Sequence, residues 1–282
     1  MAKTGPQRYP GANTSYWYGS KYVGAAMEVN VAVWHTTEGT TVPTYGDGAA
    51  APTLTVLPDF PAKRLRWYQH FDIDQSARAL VDRAGGITTN RNNACQIELV
   101  GTCDPATHQK WQAAGRQHIY WPAAPDWALA EVGKFVRWLH EQHGVPMRST
   151  VTWRPYPSSY GVSAPQRLSA KAFNEYTGHL GHQHVPEGND HGDPGSLNFA
   201  RVLEHAKGGA PPKEEDDMPS NKEIAEAVWR TDDVIGIPAA WRGDSTNEFW
   251  TAQSVLINLG DRVRSVEAKL DKLLAALAAD KK

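Results

Sequence analysis

Gly178-His179-Leu180-Gly181-His182-Gln183-His184-Val185, running on through Asn189-Asp190-His191-Gly192-Asp193-Pro194-Gly195, is the stretch from which the rest of the chain can be read. It sets four histidines and two aspartates among prolines and glycines. A short strand over His182 to Val185 would put His182 and His184 on one face, because side chains alternate along a strand. Asp193 returns on a Pro-Gly loop, where a carboxylate can meet those imidazoles. Imidazole with carboxylate suits zinc, and three such ligands leave a fourth position open for water. The plainer reading is a polar surface loop that happens to be rich in histidine. The residues alone leave His182 and His184 as alternatives.

Two earlier stretches bear on the same chemistry. In Met27-Glu28-Val29-Asn30-Val31-Ala32-Val33-Trp34-His35, the β-branched alternation predicts a strand with Val29, Val31, Val33 and His35 on one face. His35 stands at its end, before the turn-forming Thr36-Thr37-Glu38-Gly39, where a rigid strand would hold a ligand in place. A lone histidine there is more often a satisfied core residue, and the later cluster reverses that preference. The second stretch is Ala94-Cys95-Gln96-Ile97-Glu98-Leu99-Val100, closed by Gly101. Cys95, Ile97 and Leu99 point one way, which predicts a buried thiol; Gln96 and Glu98 point the other. A carboxylate there is either a solvated surface residue or an acid facing a pocket.

Around these, residues 1–25 read as an irregular lead-in. Thr53 to Leu57 and Leu65 to Phe71 read as strands, and Asp74 to Val81 as a short helix or turn. Helices are expected over Thr107 to Trp121, Asp126 to His143 and Leu197 to Lys207. The second of these carries an apolar stripe of Leu129, Val132, Phe135, Val136 and Leu139, and Gly144 and Pro146 stop it. Thr150 to Ser169 is an aromatic loop that either lines a groove or covers the core. The whole predicts an α/β domain over residues 1–207, with a mixed central sheet flanked by helices.

Residues 208–219 read as a linker, mostly Gly, Pro and charge with little to bury. Over 220–282 a helical region is expected, opened by a Ser220/Glu223 capping box. Its last part sets Leu256, Leu259, Val263, Val266, Leu270, Leu273 and Leu277 at alternating spacings of three and four, the heptad seam of a coiled coil. So short a helix is marginal alone, and self-association is the leading expectation. Docking onto the domain or binding a wall component is the alternative.

Composition narrows the function classes. A net charge of −2 over 282 residues gives no electrostatic case for nucleic acid or an anionic membrane. Two cysteines imply no disulfide framework, although a local Cys95–Cys103 bridge stays open. The 11 tryptophans suit flat sugar or peptide substrates, but each taken singly reads first as core. The N-terminus lacks the apolar core of a signal peptide, and no apolar run approaches a membrane span.

The ordered set of His35-Thr36-Thr37, Gln96-Ile97-Glu98-Leu99-Val100-Gly101 and a late His…Asp-Pro-Gly resembles the zinc N-acetylmuramoyl-L-alanine amidases of the peptidoglycan-recognition-protein type, found in many phage endolysins. The resemblance covers roughly residues 25–207. It implies zinc on His35, His182 and Asp193, with His182 preferred over His184 because the late motif reads His-x-x-(Val/Ile). It also implies a catalytic glutamate at Glu98 and an oxyanion-stabilising His191, where the family often has Lys. The substrate implied is bacterial peptidoglycan, cut between N-acetylmuramic acid and L-alanine. The enzyme would build up in the cytoplasm of the infected cell and reach the wall after release. The chain departs from the pattern at Ser76-Ala77-Arg78-Ala79, where a Trp-His pair is frequent, and at Thr53, where a His is common. A non-catalytic recognition module and a cytoplasmic muropeptide-recycling amidase are the competing readings.

Overall fold

Short β-branched runs buried on both faces form parallel sheets, and that arrangement organises the first part of the chain. In the computed structural model, which describes residues 5–82, 87–187, 190–208, 235–236, 249–250 and 252–279, five strands make one sheet. They are β1 (Val31–Thr36), β2 (Leu54–Asp59), β3 (Arg64–Gln69), β4 (Ala94–Leu99) and β5 (Gly178–Gly181). Their order is β3-β2-β4-β1-β5, with β2, β4, β1 and β5 parallel and β3 antiparallel at the edge.

Alternation divides the sheet's two faces. Ala32 and Trp34, Leu54 and Val56, Cys95, Ile97 and Leu99 join the main core with helix α2 (Asp126–His143) and helix α4 (Phe199–Gly208). Within that core Trp34 packs edge-on against Phe135 and Trp67 stacks on it. The stripe Leu129, Val132, Phe135, Val136 and Leu139 is buried as its spacing predicts. Each such side chain contributes about 1.5–3 kcal/mol by leaving water. Gly144 ends α2 in the left-handed region at φ 70, a conformation only glycine adopts freely. Val31, Val33, Ala94 and Leu180 face the other way, against Phe173 of the short helix α3 (Ala170–Glu175). Val29 lies before the strand and packs with the main core instead.

One expectation is narrowed and one helix is corrected. Of the helix or turn expected over Asp74 to Val81, the structure has turns and bends, because its polar groups tie down the lead-in. Asp74 Oδ1 accepts the Val29 amide at 3.1 Å and Ser76 Oγ that of Ala25 at 2.8 Å, side-chain bonds that compete with a helix ladder. The helix expected over Thr107 to Trp121 is the shorter α1 (Pro105–Ala113), capped by Asp104 and opened by a proline. Gly115 at φ 64 ends it, and Tyr120 then bridges to Thr102. Both cysteines are free and buried, so no bridge forms between them.

Contacts divide the chain into two units, Met1–Glu215 and Asp216–Lys282. In the second, β6 (Ile235–Gly236) pairs antiparallel with β7 (Phe249–Trp250), and helix α5 (Ala252–Ala279) follows. The linker over 209–219 and the Ser220 capping box lie outside the described residues. Among those described, no helix is long and apolar enough to cross a membrane.

Two buried histidines away from the His182 cluster tie the first unit's stability to pH. Burial pushes His70 down to about 4, and burial then His140 push His179 down to about 3, both from 6.5. Between about pH 6.5 and 4 the unfolded chain binds protons that these folded imidazoles refuse, so stability falls as pH falls. Each histidine withdraws about 1.4 kcal/mol per pH unit across its window. Urea midpoints measured at pH 7 and pH 4.5 are expected to drop accordingly in the metal-free protein. Glu98, whose pKa is pushed up, acts in the opposite sense over this window, so the deciding outcome is by NMR: a His70 or His179 imidazole that takes up its proton near pH 6.5 in the folded protein would contradict the buried neutral assignment.

Candidate metal centre

The registry of the parallel strands sets a row of side chains across the face opposite α2. His35 on β1 lies beside Glu98 on β4, Glu98 beside Thr55 on β2, and Thr55 beside Tyr68 on β3. In-register neighbours on adjacent strands project the same way, so His35 and Glu98 emerge together near the C-terminal ends of their strands. β5 ends at Gly181, opposite Trp34, which delivers the next residue, His182, to His35.

The segment His182–His184 is a 3-10 turn, not the expected strand. The turn sends its two histidines apart. His182 points at His35 and Asp193. His184 turns to backbone: its Nδ1 meets Gly181 and its Nε2 the Thr152 carbonyl at 3.0 Å. Of the two, His182 is the one that faces His35 and Asp193. Gly181 lets the Asp193–Pro194 turn approach, since a Cβ there would lie 2.8 Å from Pro194 Cδ and 2.8 Å from the Trp153 ring.

His35, His182 and Asp193 are buried together, and their ligand atoms converge. His35 Nδ1 is 3.0 Å from His182 Nδ1, which is 3.1 Å from Asp193 Oδ1; His35 Nδ1 to Asp193 Oδ2 is 3.7 Å. A tetrahedron with zinc–ligand bonds near 2.0–2.1 Å has edges of about 3.3–3.4 Å. Three donors with such spacing and chemistry can hold a metal ion. Thr36 steadies the carboxylate by donating its amide to Asp193 Oδ2 at 3.0 Å.

Electrostatics follow from this packing. Burial, then the neighbouring His182, push His35 down to about 3. Burial disfavours charge on His182, but the Asp193 and Glu187 carboxylates outweigh it and raise His182 to about 10. Burial likewise opposes the Asp193 charge, yet His182 holds that carboxyl well below the usual range. The pair thus sits as imidazolium and carboxylate in the metal-free chain, a proton standing where a cation would bind.

Glu98 is half-buried, and its Oε2 is shut from solvent with no hydrogen-bond partner among the described residues. Burial first and Asp193 second push it up to about 8. A fully solvated surface carboxylate is thus not what the structure shows: Glu98 keeps partial exposure, but its Oε2 is closed off beside His35. His191 is exposed and sets its ring edge-on to that of His182, centroids 4.8 Å apart. All five residues expected from the sequence are thus in one neighbourhood.

Other groups stand there, of which the sequence reading had only the aromatic loop as a candidate groove lining. Glu187 is fully buried and bonds His182 Nε2 through Oε1; its only sequence signal is a Pro-Glu step after the histidines. His182, Glu187 and His191 form a second set of convergent ligand atoms. From the aromatic loop, Tyr160 stands with its hydroxyl 3.7 Å from Cys103 Sγ, and burial followed by Asp193 raises its pKa. Tyr45, from the segment between β1 and β2, bonds Thr55 at 2.7 Å beside Glu98. Thr53, at a position where a family histidine was looked for, accepts the Gln96 amide at 3.1 Å and serves the sheet.

No protein-family model matches the chain. No curated protein matches it either. Among solved structures, a point mutant of PlyL aligns with 70% of this chain and 96% of its own, at 14% identity and a TM-score of 0.35. So loose a superposition shows neither a shared fold nor a shared activity.

Proposed function

We propose that the first unit is a zinc-dependent N-acetylmuramoyl-L-alanine amidase acting on bacterial peptidoglycan in the manner of a phage endolysin. The observation that carries the reading is the convergence of His35, His182 and Asp193 beside Glu98 on the adjacent strand, whose Oε2 has no hydrogen-bond partner among the described residues. Two imidazoles and a carboxylate suit zinc, which when bound supplies a Lewis acid and lowers the pKa of water toward about 7. Glu98 takes the proton from the attacking water and returns it to the leaving amine. His191, at the exposed rim, donates to the oxyanion of the tetrahedral intermediate. The reaction type rests on the site; the particular amide rests on the family resemblance. The setting that follows is accumulation in the infected cell's cytoplasm and action on the wall after release.

The test is chemical. Purified cell walls are digested with and without a zinc chelator, and the released ends are assayed. New alanine amino termini, abolished by chelator and restored by zinc, are expected. New reducing sugar ends would overturn the bond assigned. Tight wall binding without release would leave a recognition module.

For the second unit we propose self-association through α5 as a parallel, in-register pair. Leu256, Leu259, Val263, Val266, Leu270 and Leu273 are all exposed along one seam. With Leu256 at position a, Arg262 falls at g and Glu267 at e, which meet across a parallel pair; an antiparallel pair would set Arg262 against Lys269. Sedimentation is expected to show a dimer that becomes a monomer on truncation after residue 210, with catalysis on soluble fragments retained. A monomer before and after truncation would remove the claim.

A further inference from the structure

Two groups of potential ligands share His182, and a neutral imidazole has only one lone pair to give. One ring nitrogen carries the proton and the other accepts or ligates. Nδ1 of His182 faces His35 Nδ1 at 3.0 Å and Asp193 Oδ1 at 3.1 Å, while Nε2 faces Glu187 Oε1 within hydrogen-bond contact. Serving both groups at once would require an imidazolate.

Glu187 is held in a way that decides between them. Its side chain is fully buried, and its second oxygen accepts the Val81 amide at 2.6 Å. Both carboxylate oxygens are therefore engaged, one by the backbone of a distant loop and one by the imidazole. A carboxylate anchored in this way accepts an N–H far more readily than it leaves to join a metal with His191, whose own side chain is exposed. Carboxylate–histidine–metal relays of this form fix the tautomer and ring orientation of the ligating histidine and raise its basicity.

We propose that Glu187 is a positioning residue: it holds the Nε2–H tautomer of His182, so that Nδ1 presents its lone pair to an ion shared with His35 and Asp193. The set of His182, Glu187 and His191 is then the outer support of one metal site and not a second site. The inference rests on the metal reading above, and it adds a residue that the sequence motifs do not contain.

Zinc binding to the full chain tests it without recourse to activity. Zinc stoichiometry is measured by elemental analysis, zinc affinity by competition with a chromophoric chelator, and ligand geometry by the absorption of the cobalt-substituted protein. One zinc per chain is expected. Glu187→Ala should weaken zinc binding by about 10–100-fold and shift the cobalt bands. Glu187→Gln should recover part of the affinity, since its amide oxygen can accept the same N–H while its NH2 is left facing the Val81 amide, and this partial rescue separates orientation from a merely structural role. His191→Ala should leave affinity unchanged. Two ions on the unaltered chain, one of them lost in both Glu187→Ala and His191→Ala, would overturn the proposal in favour of a second site. Zinc bound by the unaltered chain and equally by a folded Glu187→Ala would overturn it alone. No zinc on the unaltered chain would overturn the metal reading together with it.

Discussion

Glu98→Gln is expected to bind zinc as tightly as the unaltered protein while its turnover on peptidoglycan fragments falls by about 10²–10⁴-fold, the range a positioned general base supplies. The variant is nearly isosteric, so packing beside His35 is kept. The residue stands outside the three convergent donors, and its Oε2 has no hydrogen-bond partner among the described residues. Little that anchors the sheet is lost with its charge. Neutralising a half-buried carboxylate whose inner oxygen has no partner among the described residues does not by itself cost stability. The loss should appear in kcat with KM little changed, because an interaction made only in the transition state is what has gone. Metal content and rate measured on one preparation decide the matter. If zinc leaves with the rate, Glu98 is a ligand; if the rate stays, the base is elsewhere.

How far this arrangement was legible in the sequence depends on how local each constraint is. A strand's alternation decides which face His35 and Glu98 take, and registry brings them side by side; for Glu98 alternation left a surface residue or a pocket acid open, and only the family resemblance implied the acid. The stripe on α2 was legible for the same kind of reason, a period matched to a helix. The late histidines were harder. Strand alternation pairs His182 with His184, whereas the 3-10 turn gives one to the site and the other to the Thr152 carbonyl. That turn follows from Gly181 allowing the Asp193–Pro194 segment to press close, a contact no periodicity encodes. Asp74 to Val81 was left between helix and turn, and it is turn because its short polar side chains bond a segment far earlier in the chain. Glu187 was missed for the opposite reason. It is near His182 in sequence, but its burial depends on Val81, which no local pattern connects to it.

Asp193→Ala is expected to lose both zinc and hydrolysis, and Asp193→Cys to keep zinc. Asp193 is the anionic member of the three donors, with Oδ1 on His182 and Oδ2 held by the Thr36 amide. Without it two neutral imidazoles remain, which cannot offset the charge of a dication in a buried site. The fall in zinc affinity should therefore exceed the about 10–100-fold typical of outer-shell substitutions. Alanine also leaves the Thr36 amide unpaired, at a cost of about 1–3 kcal/mol to the fold, so a lowered melting temperature alone would not establish ligation. Cysteine separates the two effects. A thiolate is a strong zinc ligand at about 2.3 Å, slightly longer than a carboxylate oxygen, and it restores the anion without restoring the short oxygen bond to Thr36. Zinc retained in Asp193→Cys and absent from Asp193→Ala would assign the carboxylate to the metal. Zinc bound at unaltered affinity by a folded Asp193→Ala would move the site off this residue, and with it the proposed chemistry.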